Sequence, residues 1–107
     1  MSVQSSTTTV RIVKTYFLVR WRHDDADEAV LLYEELDERR METRKIHQYR
    51  DGRLLRTDRV APEDDVSLAW EPLPSEEQIA EESVLDVLPL TAHEFDAAWA
   101  RATDAWA

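Results

Sequence analysis

Gly52 is the only glycine among the chain's 107 residues, and this excludes whole classes of site before any element is placed. A loop that cradles phosphate needs several glycines so that backbone N–H groups can close on the ligand. Nucleotide sites of the Walker and dinucleotide-binding kinds are therefore out. Cysteine is also absent, which removes disulfide scaffolds, thiol nucleophiles and zinc–thiolate centres. The length is that of a single domain, and 43% hydrophobic residues suffice for one core. The 23 acidic residues outnumber the 13 basic ones, for a net charge of −10. Such a charge repels phosphate backbones and anionic lipid, so no nucleic-acid and no membrane partner is expected. The longest apolar runs, residues 16–19 and 29–33, fall far short of the roughly 18 needed for a membrane span. Residues 1–9 read as a disordered lead-in, rich in Ser and Thr and without the basic start and apolar centre of a signal peptide. The expectation is a cytoplasmic protein with a single domain over residues 10–107.

Residues 10–21 are β-branched or aromatic on both faces and predict a long first strand. The acidic stretch 23–28 breaks it. Residues 29–33 fit a short strand or the opening of a helix, the β-branched and aromatic content favouring a strand, with residues 34–40 turning back. Residues 41–50 alternate, with Met41, Thr43, Lys45, His47 and Tyr49 opposite Glu42, Arg44, Ile46, Gln48 and Arg50. Asp51-Gly52 then marks a hairpin, and residues 53–59 return. Residues 66–70 are a further short strand candidate. Ser75 and Gln78 form a capping-box pattern for a helix reaching Glu82, and residues 84–88 fit a last strand. Thr91 and Glu94 repeat the capping box before the clearest element, a helix with Phe95, Ala98, Trp99, Ala102 and Trp106 on one face. The fold class is α+β: an antiparallel sheet of four to five strands, covered on one face by two short helices. The second apolar face would then close against a twin subunit, giving a homodimer with barrel-like sheet packing.

Charge is unevenly spread. Residues 39–59 hold eight bases against Glu42, Asp51 and Asp58, whereas from Val60 onwards Arg101 is the only Lys or Arg beside twelve acids. This predicts a basic hairpin on an acidic body. It reads as a solvated surface, as a subsite for an anion or carboxylate, or, against the total charge, as a nucleic-acid contact.

The strings Leu18-Val19-Arg20-Trp21-Arg22-His23-Asp24, Leu32-Tyr33-Glu34-Glu35-Leu36-Asp37 and Tyr49-Arg50-Asp51-Gly52-Arg53 resemble a small bacterial family of stand-alone domains of unknown function. So do Glu71-Pro72-Leu73-Pro74-Ser75 and the closing Glu94-Phe95-Asp96-x-x-Trp99. The resemblance covers residues 16–102 and implies a compact α+β fold without implying a reaction. In size, fold and composition the chain also resembles the terminal amide synthase of nosiheptide-type thiopeptide pathways. That resemblance implies cleavage of an enamide C–N bond in a dehydroalanine tail, leaving a carboxamide by carboxylate acid–base catalysis.

The residues present are compatible with such chemistry without a cofactor. A protonated carboxyl delivers a proton to the enamide carbon, water adds to the N-acyliminium, and the carboxylate assists collapse to the amide. The acid needs a raised pKa, hence partial burial beside apolar groups. Glu42, beside Met41 and Ile46, and Glu94, on a helix with Phe95 and Trp99, are the candidates, with His23 as a third catalytic residue. The bland alternatives are a cross-strand ion pair for Glu42 and a capping box for Glu94. Candidate substrate-binding residues are Trp21 and Trp70 at predicted strand ends, with Arg44 and Tyr49 on the basic hairpin. His23 with Asp24, Asp25, Asp27 and Glu28 offers oxygen-rich ligands but lacks the glycine of a calcium loop, so a solvated turn is expected and no metal. The other class of function is a non-catalytic, immunity-type module whose acidic surface meets a basic protein partner.

Overall fold

The computed structural model describes residues 13–61 and 66–105. Six strands and two helices run in the order β1 (Thr15–Trp21), β2 (Leu31–Leu36), β3 (Glu42–Gln48), β4 (Leu54–Thr57), α1 (Glu76–Ala80), β5 (Leu85–Pro89), α2 (Ala92–Arg101) and β6 (Thr103–Asp104). They form one open sheet in the order β5-β1-β2-β3-β4-β6. The α+β class holds, but the sheet is mixed rather than antiparallel. Two residues after α2 pair parallel with β4, Leu55 opposite Thr103 and Arg56 opposite Asp104.

The helices cover opposite faces. On one, Phe17, Val19 and Leu36 pack with Leu32, Leu73, Ile79, Leu85 and Val87, under α1 and the loop before it. On the other, Ile46 packs with Phe95 and Ala98 of α2, flanked by Tyr16, Tyr33, Leu54 and Trp99. Each fully buried aliphatic or aromatic side chain stabilises such a layer by about 2 kcal/mol. The expectation of one covered face is therefore corrected: the chain covers both sheet faces itself.

Two hairpins share one construction. In the second, Tyr49 N–H donates to Arg53 C=O at 2.9 Å and Gly52 N–H to Tyr49 C=O at 2.8 Å, with Gly52 at φ +92°. This is a three-residue loop closed by a left-handed residue, as the Asp51-Gly52 pair predicts. In the first, Asp37 N–H donates to Met41 C=O and Arg40 N–H to Asp37 C=O, both at 2.9 Å, and Arg40 takes φ +66°. Asp37 Oδ1 also accepts the N–H groups of Arg39 at 2.8 Å and Met41 at 3.0 Å, an Asx-type turn. The turn predicted over residues 34–40 thus begins later, because Glu34, Glu35 and Leu36 complete β2.

Between β2 and β3 the register slips. Glu35 pairs with Arg44 but Leu36 pairs with Glu42, so Thr43 is an extra residue on β3. This bulge moves Glu42 from the face of Arg44 and Ile46 to the face of Lys45, against the simple alternation expected for residues 41–50.

Other boundaries also differ. β1 starts at Thr15, not Val10, with Val13 and Lys14 outside it. Residues 66–70 are not a strand. Leu68 N–H donates to Arg59 C=O at 2.8 Å, but Ala69 N–H goes to the Glu42 side chain at 2.6 Å, where a ladder would need a backbone carbonyl. Helix α1 is a short turn of helix ending before Glu82, and α2 ends at Arg101. The lead-in, Val10 to Ile12 of the predicted strand, residues 62–65 and Trp106 lie outside the described residues. Among the described residues no helix is long and apolar enough to cross a membrane.

Candidate functional site

Glu94 is the third residue of α2 and completes its capping box. Its Oε1 accepts Thr91 N–H at 2.8 Å, while Thr91 Oγ1 accepts Glu94 N–H at 3.0 Å. The residue is exposed. The Thr91 backbone and hydroxyl hold its carboxyl below the usual value, with a slight opposing effect of burial and a further lowering by His93. The raised pKa expected of a catalytic acid is therefore not found there. The bland alternative, a helix cap, describes the geometry.

Glu42 lies in a different setting. Its side chain is 1% exposed and its Oε2 lies 3.0 Å from Lys45 Nζ, while Oε1 accepts Ala69 N–H. The ion pair is with a lysine three residues along its own strand, not with a cross-strand arginine, as the bulge dictates. Beside it stands Glu34 of β2, 3% exposed, on the same face because Glu34 pairs with Lys45 and Leu36 with Glu42. Burial and the hydrogen bond to Glu42 push the Glu34 carboxyl well above its usual value, and the Lys45 charge only partly opposes them. For Glu42 burial also acts upward, but the bond from Glu34, the Lys45 charge and the Ala69 N–H outweigh it and leave it lowered. One proton shared by two adjacent carboxyls explains both directions. Glu34 is the acid that the sequence reading missed. Its signal was the pattern Leu32-x-Glu34-x-Leu36, an acid in the middle of a buried strand face.

Arg44 is on the opposite face of the sheet and does not reach Glu42. Its Nε and Nη2 grip the two oxygens of Glu35 at 2.8 and 2.6 Å, and Nη2 also donates to Asp96 at 2.9 Å. Tyr16 OH and Thr43 Oγ1 each donate to Glu35 at 2.7 Å. The bulge lets Thr43 and Arg44, consecutive residues, both reach that carboxylate. The guanidinium lies 4.8 Å from the Phe95 ring centre and 5.0 Å from that of Trp99, a cation–π arrangement. Burial alone would raise Glu35, but Arg44, Thr43 and Tyr16 bring its pKa down to about 2. This network fastens α2 to the sheet.

The remaining candidates are dispersed. His23 Nε2 lies 2.7 Å from Ala29 C=O and Nδ1 accepts Asp25 N–H at 3.0 Å, so the ring organises the acidic loop. Asp25 Oδ1 accepts Asp27 N–H in the same turn. Among the described residues no three His, Asp or Glu side chains gather as a metal-holding group. Trp21 sits against His23 with ring centres 4.2 Å apart. Tyr49 is buried with Arg53 4.5 Å over its ring. Trp70 is 71% exposed, the most exposed large hydrophobic residue described. Of the seven candidates, the structure brings together Trp21 with His23 alone.

A sheet with a helix on each face and a buried acid pair beneath one loop defines a small α+β domain. The chain belongs to the family described as a domain of unknown function, DUF6881, whose model matches residues 15–104. No curated protein and no solved structure matches it, so the likeness to the nosiheptide-type amide synthase gains no support.

Proposed function

We propose that the protein is a non-catalytic, acidic binding module that engages a basic protein partner, with Trp70 as the central contact. The observation that carries this reading is the way Trp70 is presented. Its neighbours are pinned on both sides, Ala69 N–H to Glu42 and Leu73 N–H to Arg40 C=O at 2.9 Å. An exposed indole on a pinned loop loses little freedom on binding, and tryptophan is among the residues that dominate interface energetics. Residues 70–82 contain no Lys, Arg or His, and Glu71, Glu77, Glu81 and Glu82 among them are exposed. A partner bearing Lys and Arg would meet complementary charge there, with fast, salt-sensitive association.

The test compares wild-type and Trp70→Ala chains as baits at graded salt. The reading expects a basic protein retained by the wild type, released as salt rises, and bound at least about tenfold more weakly by the variant. Equal retention by both chains would contradict it.

Enamide cleavage is the second reading, favoured by one observation: burial and the hydrogen bond to Glu42 raise the Glu34 carboxyl, the direction that a proton donor for such a step requires. It predicts a carboxamide product from a dehydroalanine-tailed thiopeptide, lost in Glu34→Gln. An unchanged substrate with folded protein removes it.

A further inference from the structure

Glu34 Oε1 and Glu42 Oε2 are both sealed from solvent and find no hydrogen-bond donor among ordinary partners, apart from the Lys45 ammonium beside Glu42. Two carboxylate oxygens are acceptors only, so two charged side chains here would leave one buried charge without compensation. A single proton resolves this: Glu34 donates to Glu42, and Glu42 keeps its other contacts to Lys45 and to Ala69 N–H. The acid pair is thereby joined to the loop before α1. Ala69 is held by Glu42 directly, and Lys45 Nζ donates to Ser67 C=O at 3.4 Å.

The groups facing the pair are few. From β3, Lys45 is the charged neighbour, with His47 further along the same face. β1 presents Thr15 and Phe17 opposite Leu36 and Glu34, β4 presents Thr57 opposite Lys45, and the loop contributes backbone groups. The Arg40–Glu76 pair, at 2.7 Å, ties the loop's far end to α1. Lys45 is a positive charge that acts on both acids.

We propose that Glu34 and Glu42 form a proton-operated latch on the loop that carries Trp70. With one proton between them the Ala69 N–H is held and the loop is fixed. Loss of that proton places two negative charges against one lysine. Lys45 is the cross-strand partner of Glu34 and turns to it, Glu42 moves towards water, and the Ala69 bond breaks. The pinned presentation of Trp70 is then lost as pH rises. The effect on partner binding rests on the reading above; the latch itself does not.

Nuclear magnetic resonance on the whole chain without any partner tests it, following the Glu34 side-chain carboxyl carbon, the Ala69 amide and the Trp70 indole from about pH 5 to about pH 9, the range reached by buried glutamates. The latch predicts that all three shift together in one step, the Ala69 amide proton moving upfield as its hydrogen bond is lost. In Glu34→Gln, whose amide replaces the donated proton, the Ala69 and Trp70 signals stay flat. Titration of Glu34 without movement of Ala69, no titration of Glu34 in the range, or an Ala69 step that persists in folded Glu34→Gln each overturns the proposal. If the variant does not fold, coincidence of the three wild-type curves decides alone. Because no partner is present, this result and the Trp70→Ala binding result can fail separately.

Discussion

Arg40 and Gly52 occupy the same position in two hairpins of one construction, each the left-handed residue that closes a three-residue loop. Gly52 has open space where a Cβ would stand, so Gly52→Ala meets only the backbone penalty of φ +92°. The expected loss is about 1–2 kcal/mol in chemical unfolding, with the fold unchanged. Arg40 bears a similar strain because its side chain is anchored to Leu73 C=O at 3.0 Å and to Pro74 C=O and Glu76 at 2.7 Å each. Arg40→Ala keeps the strain and loses the anchors, and should cost about 1–2 kcal/mol.

Glu35 makes a pH-dependent contribution of ordinary sign. Its folded-state pKa is about 2 against 4.5 for the free side chain. The stabilisation is complete above pH 4.5 and is lost as pH falls towards 2. Its upper bound is about 3 kcal/mol from the size of the shift. Urea unfolding of wild type and Glu35→Gln at several pH values should show a gap that is widest near neutrality and closes in acid.

Glu34 acts in the opposite sense. Its pKa is raised above 4.5 by burial and by Glu42, so its contribution is fully present below pH 4.5 and is lost as pH rises through the folded value. Relative to wild type, Glu34→Gln should gain stability as pH rises above 4.5, as the buried charge is removed. A difference that stays constant as pH rises would contradict this.

Glu94 separates a cap from a catalyst. Glutamine also serves at the third position of a capping box, so Glu94→Gln should unfold at nearly the wild-type temperature. Glu94→Ala should unfold at a lower one, because Thr91 N–H loses its acceptor. Thermal unfolding of the two variants checks this.

Local chemistry was legible in the sequence and register was not. Asp51-Gly52, Ser75 with Gln78, and Thr91 with Glu94 each act within a few residues, and the structure uses all three as read. The Thr43 bulge depends on what lies across the strand pair, so alternation alone put Glu42 on the wrong face and paired it with an arginine. Glu34 and Glu35 were read as the start of a turn because acids are rare in buried strands; their compensation comes from Lys45 and Arg44, about ten residues away in sequence. β6 is two residues long and carries no periodic signal.

The most direct test of the binding reading is the affinity of wild type and Trp70→Ala for a basic protein captured by the wild-type chain, measured by calorimetry at two salt concentrations. The account predicts at least about tenfold weaker binding for the variant and weaker wild-type binding at the higher salt. Unchanged affinity in Trp70→Ala, with the variant folded, would contradict it.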